Sequence, residues 1–193
     1  MNAPRQTEPD LERRLSALRG FFNYLIRERV IEANPAADIR APKAPKRLPK
    51  TLDVDQVASL LNRRADSTLA RRDLAMMELL YSSGLRLAEL AGLDVTDLDL
   101  ADRTVRVTGK GSKTRILPVG KQALAALRAW LADRAAFVRG GSAALFVGRD
   151  GRRLGARAIQ RRIGNWAQAT GIGVPVHPHL FRHSFATDLL EYG

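Results

Sequence analysis

No cysteine occurs in the 193 residues, which excludes a disulfide framework, a thiolate metal site and a cysteine nucleophile. Histidine is nearly as scarce. His177, His179 and His183 crowd into one short stretch with only Asp188 and Glu191 as nearby carboxylates, a poor metal-ligand set, so no metal is expected. No apolar run approaches the ~20 residues that span a bilayer, and the opening MNAPRQTEPDLERR has no apolar signal core. The expectation is a cytoplasmic protein with no membrane insertion. Acidic residues are also in short supply: 20 Asp+Glu face 32 Lys+Arg, leaving a net charge of +12. A hydrophobic fraction of 45% is too high for a disordered basic tail. The charge therefore belongs to a folded chain with a polyanionic partner, and charge alone leaves nucleic acid, ribosome and acidic membrane surface open. The length suits one substantial domain with a smaller piece attached.

The basic charge is unevenly placed. Residues 35–50 read PAADIRAPKAPKRLPK, in which repeated proline removes amide donors and disfavours a continuous helix or central strand. This is expected to be a linker presenting Arg40, Lys43, Lys46 and Arg47 to solvent or to a phosphate backbone. Before it, Leu11, Leu15, Leu18, Phe22 and Leu25 recur at helical spacing up to about Arg29. One helix cannot make a domain, so residues 1–34 read as a docking arm or the closing part of a helical domain.

Residues 51–193 alternate helical and extended signals. A helix opens near Asp53 or Asp55 with Val57, Leu60 and Leu61 apolar, and a second runs over about 72–81 to a stop at Ser83-Gly84. A short helix restarts over 85–90 with Arg86 in its first turn, where a cation opposes the helix dipole and needs an anion, a carboxylate such as Glu89, or solvent. Residues 104–108 and 114–118 form the clear sheet signal, two strands around Gly-Lys-Gly-Ser-Lys with Val105 and Val107 alternating. Lys110, between two glycines, can be pressed close to a polyanion, or it can simply decorate a solvent-facing tip. GKGSK lacks the P-loop spacing and precedes a strand. Helices follow over about 121–138 and 156–169, separated by a short strand or extended core segment at 144–147. Arg153, Arg157, Arg161 and Arg162 fall within ten positions that contain no carboxylate and suggest a phosphate-facing surface. The fold class is thus mainly α with a small antiparallel β-hairpin, an α+β fold.

The last helix begins at Pro178. His179, Arg182, His183 and Ala186 fall three or four residues apart and share a side, while Phe181, Phe185 and Leu189 can turn inward. Arg86, Lys110, His179 and Arg182 together are the equipment for holding a phosphodiester and stabilising charge on its non-bridging oxygens. From spacing alone, such a site and a plain basic binding surface both remain open.

Residues 80–93 (LYSSGLRLAELAGL), 108–115 (TGKGSKTR) and 177–187 (HPHLFRHSFAT) resemble, in order and spacing, the core motifs of the tyrosine recombinases, most closely those of the bacterial XerC type. The resemblance implies an incomplete tyrosine-recombinase catalytic-domain fold over 51–193, joined through the linker to the remnant of a DNA-clamping domain over 1–34. It assigns catalytic roles to Arg86, Lys110, His179 and Arg182: the two arginines on the phosphate, the lysine as proton donor to the leaving 5′ oxygen, the histidine as acid/base or hydrogen-bond donor. Lys113, Arg115, Arg153, Arg157 and Arg161 join the linker cations as DNA-contact candidates. No cofactor is implied. The implied partners are a duplex recombination site, a sister XerD-like recombinase in a tetrameric synapse and a division-associated DNA translocase, in a nucleoid-associated setting. The family's nucleophilic tyrosine has no counterpart among Tyr24, Tyr81 and Tyr192. The chain therefore reads as an internal piece of a protein nearer 300 residues, inactive alone. Alternatives are a non-catalytic DNA-binding remnant and a phage or mobile-element integrase.

Overall fold

The computed structural model describes residues 8–39, 54–109, 111, 113–138, 140–172 and 176–192. The chain divides into two units, Met1–Pro49 and Lys50–Gly193. Most of the expected linker, with Arg40, Lys43, Lys46 and Arg47, lies outside the described residues, as does Lys110.

In the first unit, α1 (Glu8–Arg27) is followed by a segment that folds back along it. Arg19 Nε donates to the Ala36 carbonyl at 2.9 Å. Asn34 Nδ2 donates to Asn23 Oδ1 at 2.7 Å, while its own Oδ1 accepts from the Ala36 amide at 2.9 Å. Ala36 is buried by this arrangement, but Leu18, Phe21 and Tyr24 stay about half exposed.

The second unit is built around α3 (Thr68–Ser83), which packs on α5 (Lys121–Arg134), α7 (Pro178–Tyr192), α6 (Ala156–Thr170) and α2 (Val54–Leu61). Contact on so many sides explains why α3 buries Ala75, Met76, Met77, Leu79 and Leu80 in succession, where an amphipathic helix would bury one stripe. The helix starts at Thr68, ahead of the expected position near 72, because Ser67 Oγ caps it by accepting from the Ala70 amide at 3.2 Å. It ends at Gly84 in the left-handed region, φ +57°, where glycine carries no Cβ penalty. The short α4 (Leu87–Gly92) follows, with Arg86 as its N-cap, one position ahead of the first turn.

Strands β2 (Thr104–Thr108) and β3 (Thr114–Pro118) pair antiparallel with Val105 opposite Leu117 and Val107 opposite Arg115. Val105 and Val107 enter the core as the alternation predicts. A third strand, β1 (Leu98–Asp99), adds to β2; two residues are too few to show periodicity in sequence. Helix α5 stops at Arg134, short of the expected 138. There the Arg134 guanidinium turns to the carbonyls of Ser142 and Ala144, with Nη2 at 2.6 Å from each. Residues 144–147, expected as a short strand or extended segment, are a fully buried segment that bends at 145–146 between isolated bridges of Ala144 to Asp94 and Val147 to Arg153, tied by Leu145 N–H to Leu93 O at 2.9 Å. Trp130 Nε1 donates to Leu145 O at 2.9 Å, and Trp166 Nε1 to Leu60 O at 2.9 Å, so both buried indoles keep a partner. Among the described residues, no helix is long and apolar enough to cross a membrane.

Candidate phosphate-binding site

The local fold presents Arg86. Because α3 terminates at Gly84 and α4 begins at Leu87, Arg86 occupies extended backbone (φ −77°, ψ 150°) with its side chain exposed. Its amide donates to Glu89 Oε2 at 2.9 Å and its Nη1 to Glu89 Oε1 at 3.0 Å. A glutamate three residues into a helix reaching back to the cap amide satisfies an orphan donor and suits the dipole. The Arg86–Glu89 pair is therefore present, but Glu89 is buried (8% exposed), so the pair is not a mere surface contact. From β3, Arg115 forks onto the same carboxylate, Nη1 to Oε1 at 3.0 Å and Nη2 to Oε2 at 2.8 Å, the bidentate geometry at which a guanidinium excels. Burial pushes the Glu89 carboxyl upward. The hydrogen bonds from Arg115 and from the Arg86 amide and side chain outweigh it and hold the group below its ordinary range.

The second expected arginine arrives from α7. Arg182 Nη1 donates to the Gly84 carbonyl, so the residue that ends α3 also anchors the arginine of the last helix. Arg86, Arg115 and Arg182 line one cavity of about 410 Å³, with Gly84 and Phe185 in its wall. Phe185, expected to turn inward, stands at this cavity half-buried. Three guanidiniums against one engaged carboxylate make it an anion site by charge and by donor count. A neighbouring cavity of about 710 Å³ shares Arg86 and Arg115 and adds Lys113 and the Thr108 and Thr114 side chains.

The other expected residues are placed as follows. His179 is exposed on the first turn of α7 and is not among the residues lining the arginine cavity; its ring centroid stands 6.4 Å from that of His177. Burial lowers the His177 pKa from its ordinary value, and the charges of His179 and His183 lower it further. Arg153 reaches the carbonyls of Ala91 (3.1 Å) and Leu93 (2.8 Å) and pairs with Asp94. Arg162 Nε donates to Asp73 Oδ2 at 2.7 Å. The reading that this arginine cluster lacks carboxylates is thus corrected at two of its four members, because the fold delivers Asp94 and Asp73 from distant sequence. Arg157 and Arg161 remain exposed on α6 and make no ion pair among the described residues. Sequence reasoning missed the burial of Glu89 and Asp73; their only signal is a carboxylate set among basic and apolar neighbours.

A buried carboxyl also stands outside the site. Glu78 of α3, 8% exposed, lines an apolar cavity of about 660 Å³ with Val57, Leu61 and Phe185, and burial raises its pKa to about 7.

A mainly helical domain with a three-stranded antiparallel sheet, carrying an arginine-lined anion cavity at a helix break, is the class that fold and site define. The model of the phage integrase family matches residues 50–193, and the chain belongs to that family, the tyrosine recombinases. It is 55% identical over 182 residues to the tyrosine recombinase XerC of Azotobacter vinelandii, covering 94% of this chain and 60% of the relative. The chain spans about 60% of the length of the curated relatives it matches. Among solved structures it is similar to XerA recombinase, with TM-score 0.70 and 30% identity over 100% of this chain and 72% of that one. It also shares its fold with the Tn1549 transposon integrase in complex with transposon right end DNA, at TM-score 0.82 and 20% identity, covering 98% of this chain and 69% of that one.

Proposed function

We propose that this chain carries the phosphate-holding part of a site-specific DNA recombinase of the XerC type. The observation that supports this best is the convergence of Arg86 and Arg182 on one cavity. A phosphodiester seated there receives guanidinium N–H groups from two elements, α4's N-cap and α7, which is the arrangement needed to stabilise charge as phosphorus becomes five-coordinate. Lys110, which follows Gly109 in sequence, is the proton donor to the leaving 5′ oxygen, and His179 assists as acid/base or by hydrogen bonding. A tyrosine hydroxyl supplies the attacking oxygen in the family, forming a 3′-phosphotyrosyl link.

In this reading, residues 1–34 are the closing part of a helical DNA-clamping domain, 35–50 a basic linker, and 51–193 the catalytic domain. The substrate is duplex DNA at a recombination site. The partners are a sister XerD-like recombinase in a tetrameric synapse and a division-associated DNA translocase, and the setting is the nucleoid. Exposed Arg157 and Arg161 on α6, with Lys113 on the hairpin, supply phosphate contacts around the site. The test is a titration of the [15N]arginine-labelled chain with a short duplex. Side-chain signals of Arg86 and Arg182 should shift together and saturate at one DNA concentration. Duplex binding that leaves both unmoved overturns the reading.

A further inference from the structure

Glu89 sets a problem for Arg86. A carboxylate that accepts from both the amide and the guanidinium of Arg86 also cancels its charge, since opposite unit charges at hydrogen-bond distance act on a third ion as little more than a dipole. Arg86 would then be well placed and electrostatically spent. Arg115 changes the sum. It takes both oxygens of the same carboxylate, at 3.0 and 2.8 Å, so the group of Arg86, Glu89 and Arg115 carries a net single positive charge where Arg86 and Glu89 alone carry none.

The surroundings fit this role. The Glu89 side chain is 5% exposed and that of Arg115 36%, so the fork is made largely inside the protein, where a charge is less screened and an unpaired carboxylate is costly. Arg115 also lies beside Gly109: a Cβ there would stand 3.4 Å from Arg115 Nη1. One side chain thus holds the carboxylate that orients Arg86 and lies beside Gly109.

We infer that Arg115 is a positioning residue whose guanidinium counterbalances Glu89 and leaves the charge of Arg86 available to a phosphate. This rests on the reading of the arginine cavity as a phosphate site, and it replaces the expectation that Arg115 is a DNA contact.

The test follows the Arg86 side-chain signal of the [15N]arginine-labelled full chain during titration with inorganic phosphate. Arg115→Gln should weaken phosphate binding at Arg86 about tenfold, while Arg115→Lys, which keeps the charge, should stay within about threefold of the parent. The decisive variant is the double one. In Arg115→Gln/Glu89→Gln the carboxylate is gone, Arg86 is uncompensated, and most of the lost affinity should return. A residue that merely held the fold, or one that touched phosphate itself, gains nothing from that second change. Glu89→Gln alone should bind phosphate more tightly than the parent, a readout that does not require Arg115→Gln to fold. Parent-like binding by Arg115→Gln, no recovery in the double variant, or no gain in Glu89→Gln each overturns the inference while leaving the phosphate site standing. Phosphate that fails to move Arg86 in any variant removes the site and the inference together.

Discussion

Phe185 of α7 stands so close to Gly84 that a Cβ there would lie 2.6 Å from the ring's Cδ1. The same glycine sits at φ +57° and its carbonyl receives Arg182. One residue thus ends the central helix, seats an aromatic ring and anchors a guanidinium of the site.

Gly84→Ala should therefore cost about 2–4 kcal/mol, combining the left-handed penalty with steric overlap against the ring. Urea unfolding measures it. In a Phe185→Ala background the overlap is gone and only the backbone penalty is left, so Gly84→Ala should cost less there than in the parent; an equal cost in the two backgrounds would show that Phe185 is not the obstacle.

Buried charge gives a larger effect. Arg72 forks onto Asp73 Oδ1 at 3.0 and 2.7 Å and donates to Val147 O at 2.9 Å, while Arg162 holds the other oxygen. Arg72 and Asp73 are 3% and 1% exposed. Asp73→Ala strands Arg72 inside the core and should cost about 3–5 kcal/mol. Arg162→Ala, at the rim with Arg72 still paired, should cost distinctly less. Equal losses in the two urea curves would contradict this ranking.

Glu78 makes stability depend on pH in an unusual direction. Its carboxyl titrates near 7 in the folded chain against a reference of 4.5, so between those values the native state holds a proton that the unfolded state has released. Stability from this group falls as pH rises from about 4.5 to 7 and levels off above, by a few kcal/mol at most. Glu78→Gln should match the parent near pH 4 and exceed it at pH 8. A constant difference in urea midpoint across that range would contradict the assignment.

On DNA, if none of Tyr24, Tyr81 and Tyr192 is the nucleophile, as the motif order implies, the 193-residue polypeptide should form no SDS-resistant complex with a nicked suicide duplex. Gel-shift affinity should fall by about two or more orders of magnitude between 50 and 200 mM salt if several phosphates are contacted. Arg157→Ala and Arg161→Ala should each lower the salt slope by about one. A covalent band, or a slope that neither substitution changes, would refute these expectations separately.

The parts of the site that were legible in sequence are those whose signal is local. The GLRLAEL run locates Arg86 beside its helix break, Val105 and Val107 give the strand, and the spacing after Pro178 fixes the helix that carries Arg182. Ion-pair partners were not legible, because side-chain charge carries no address. Arg115 finds Glu89 across 26 positions, Arg153 finds Asp94 across 59, and Arg162 finds Asp73 across 89. A run of arginines looks unopposed until tertiary folding brings carboxylates to it. His179 shows the complementary limit: helical spacing places it one turn from Arg182, yet Arg182 points to Gly84 while His179 stays exposed.

The hydrogen-bonded tryptophans give the molecule two optical gauges. These are its only indoles, and their surroundings differ. Trp130 is sealed in the core beside Phe137, whereas Trp166 lies under the Arg63 guanidinium, 5.1 Å from the ring centroid, at the seam of α2 and α6. Trp130 emission reports collapse of the whole core. Trp166 shares α6 with Arg157 and Arg161, so if those arginines take phosphates, as proposed, its emission should change when a duplex is added. With Trp130→Phe the chain keeps a single indole, and an emission that stays unchanged on addition of duplex would count against phosphate contacts along α6.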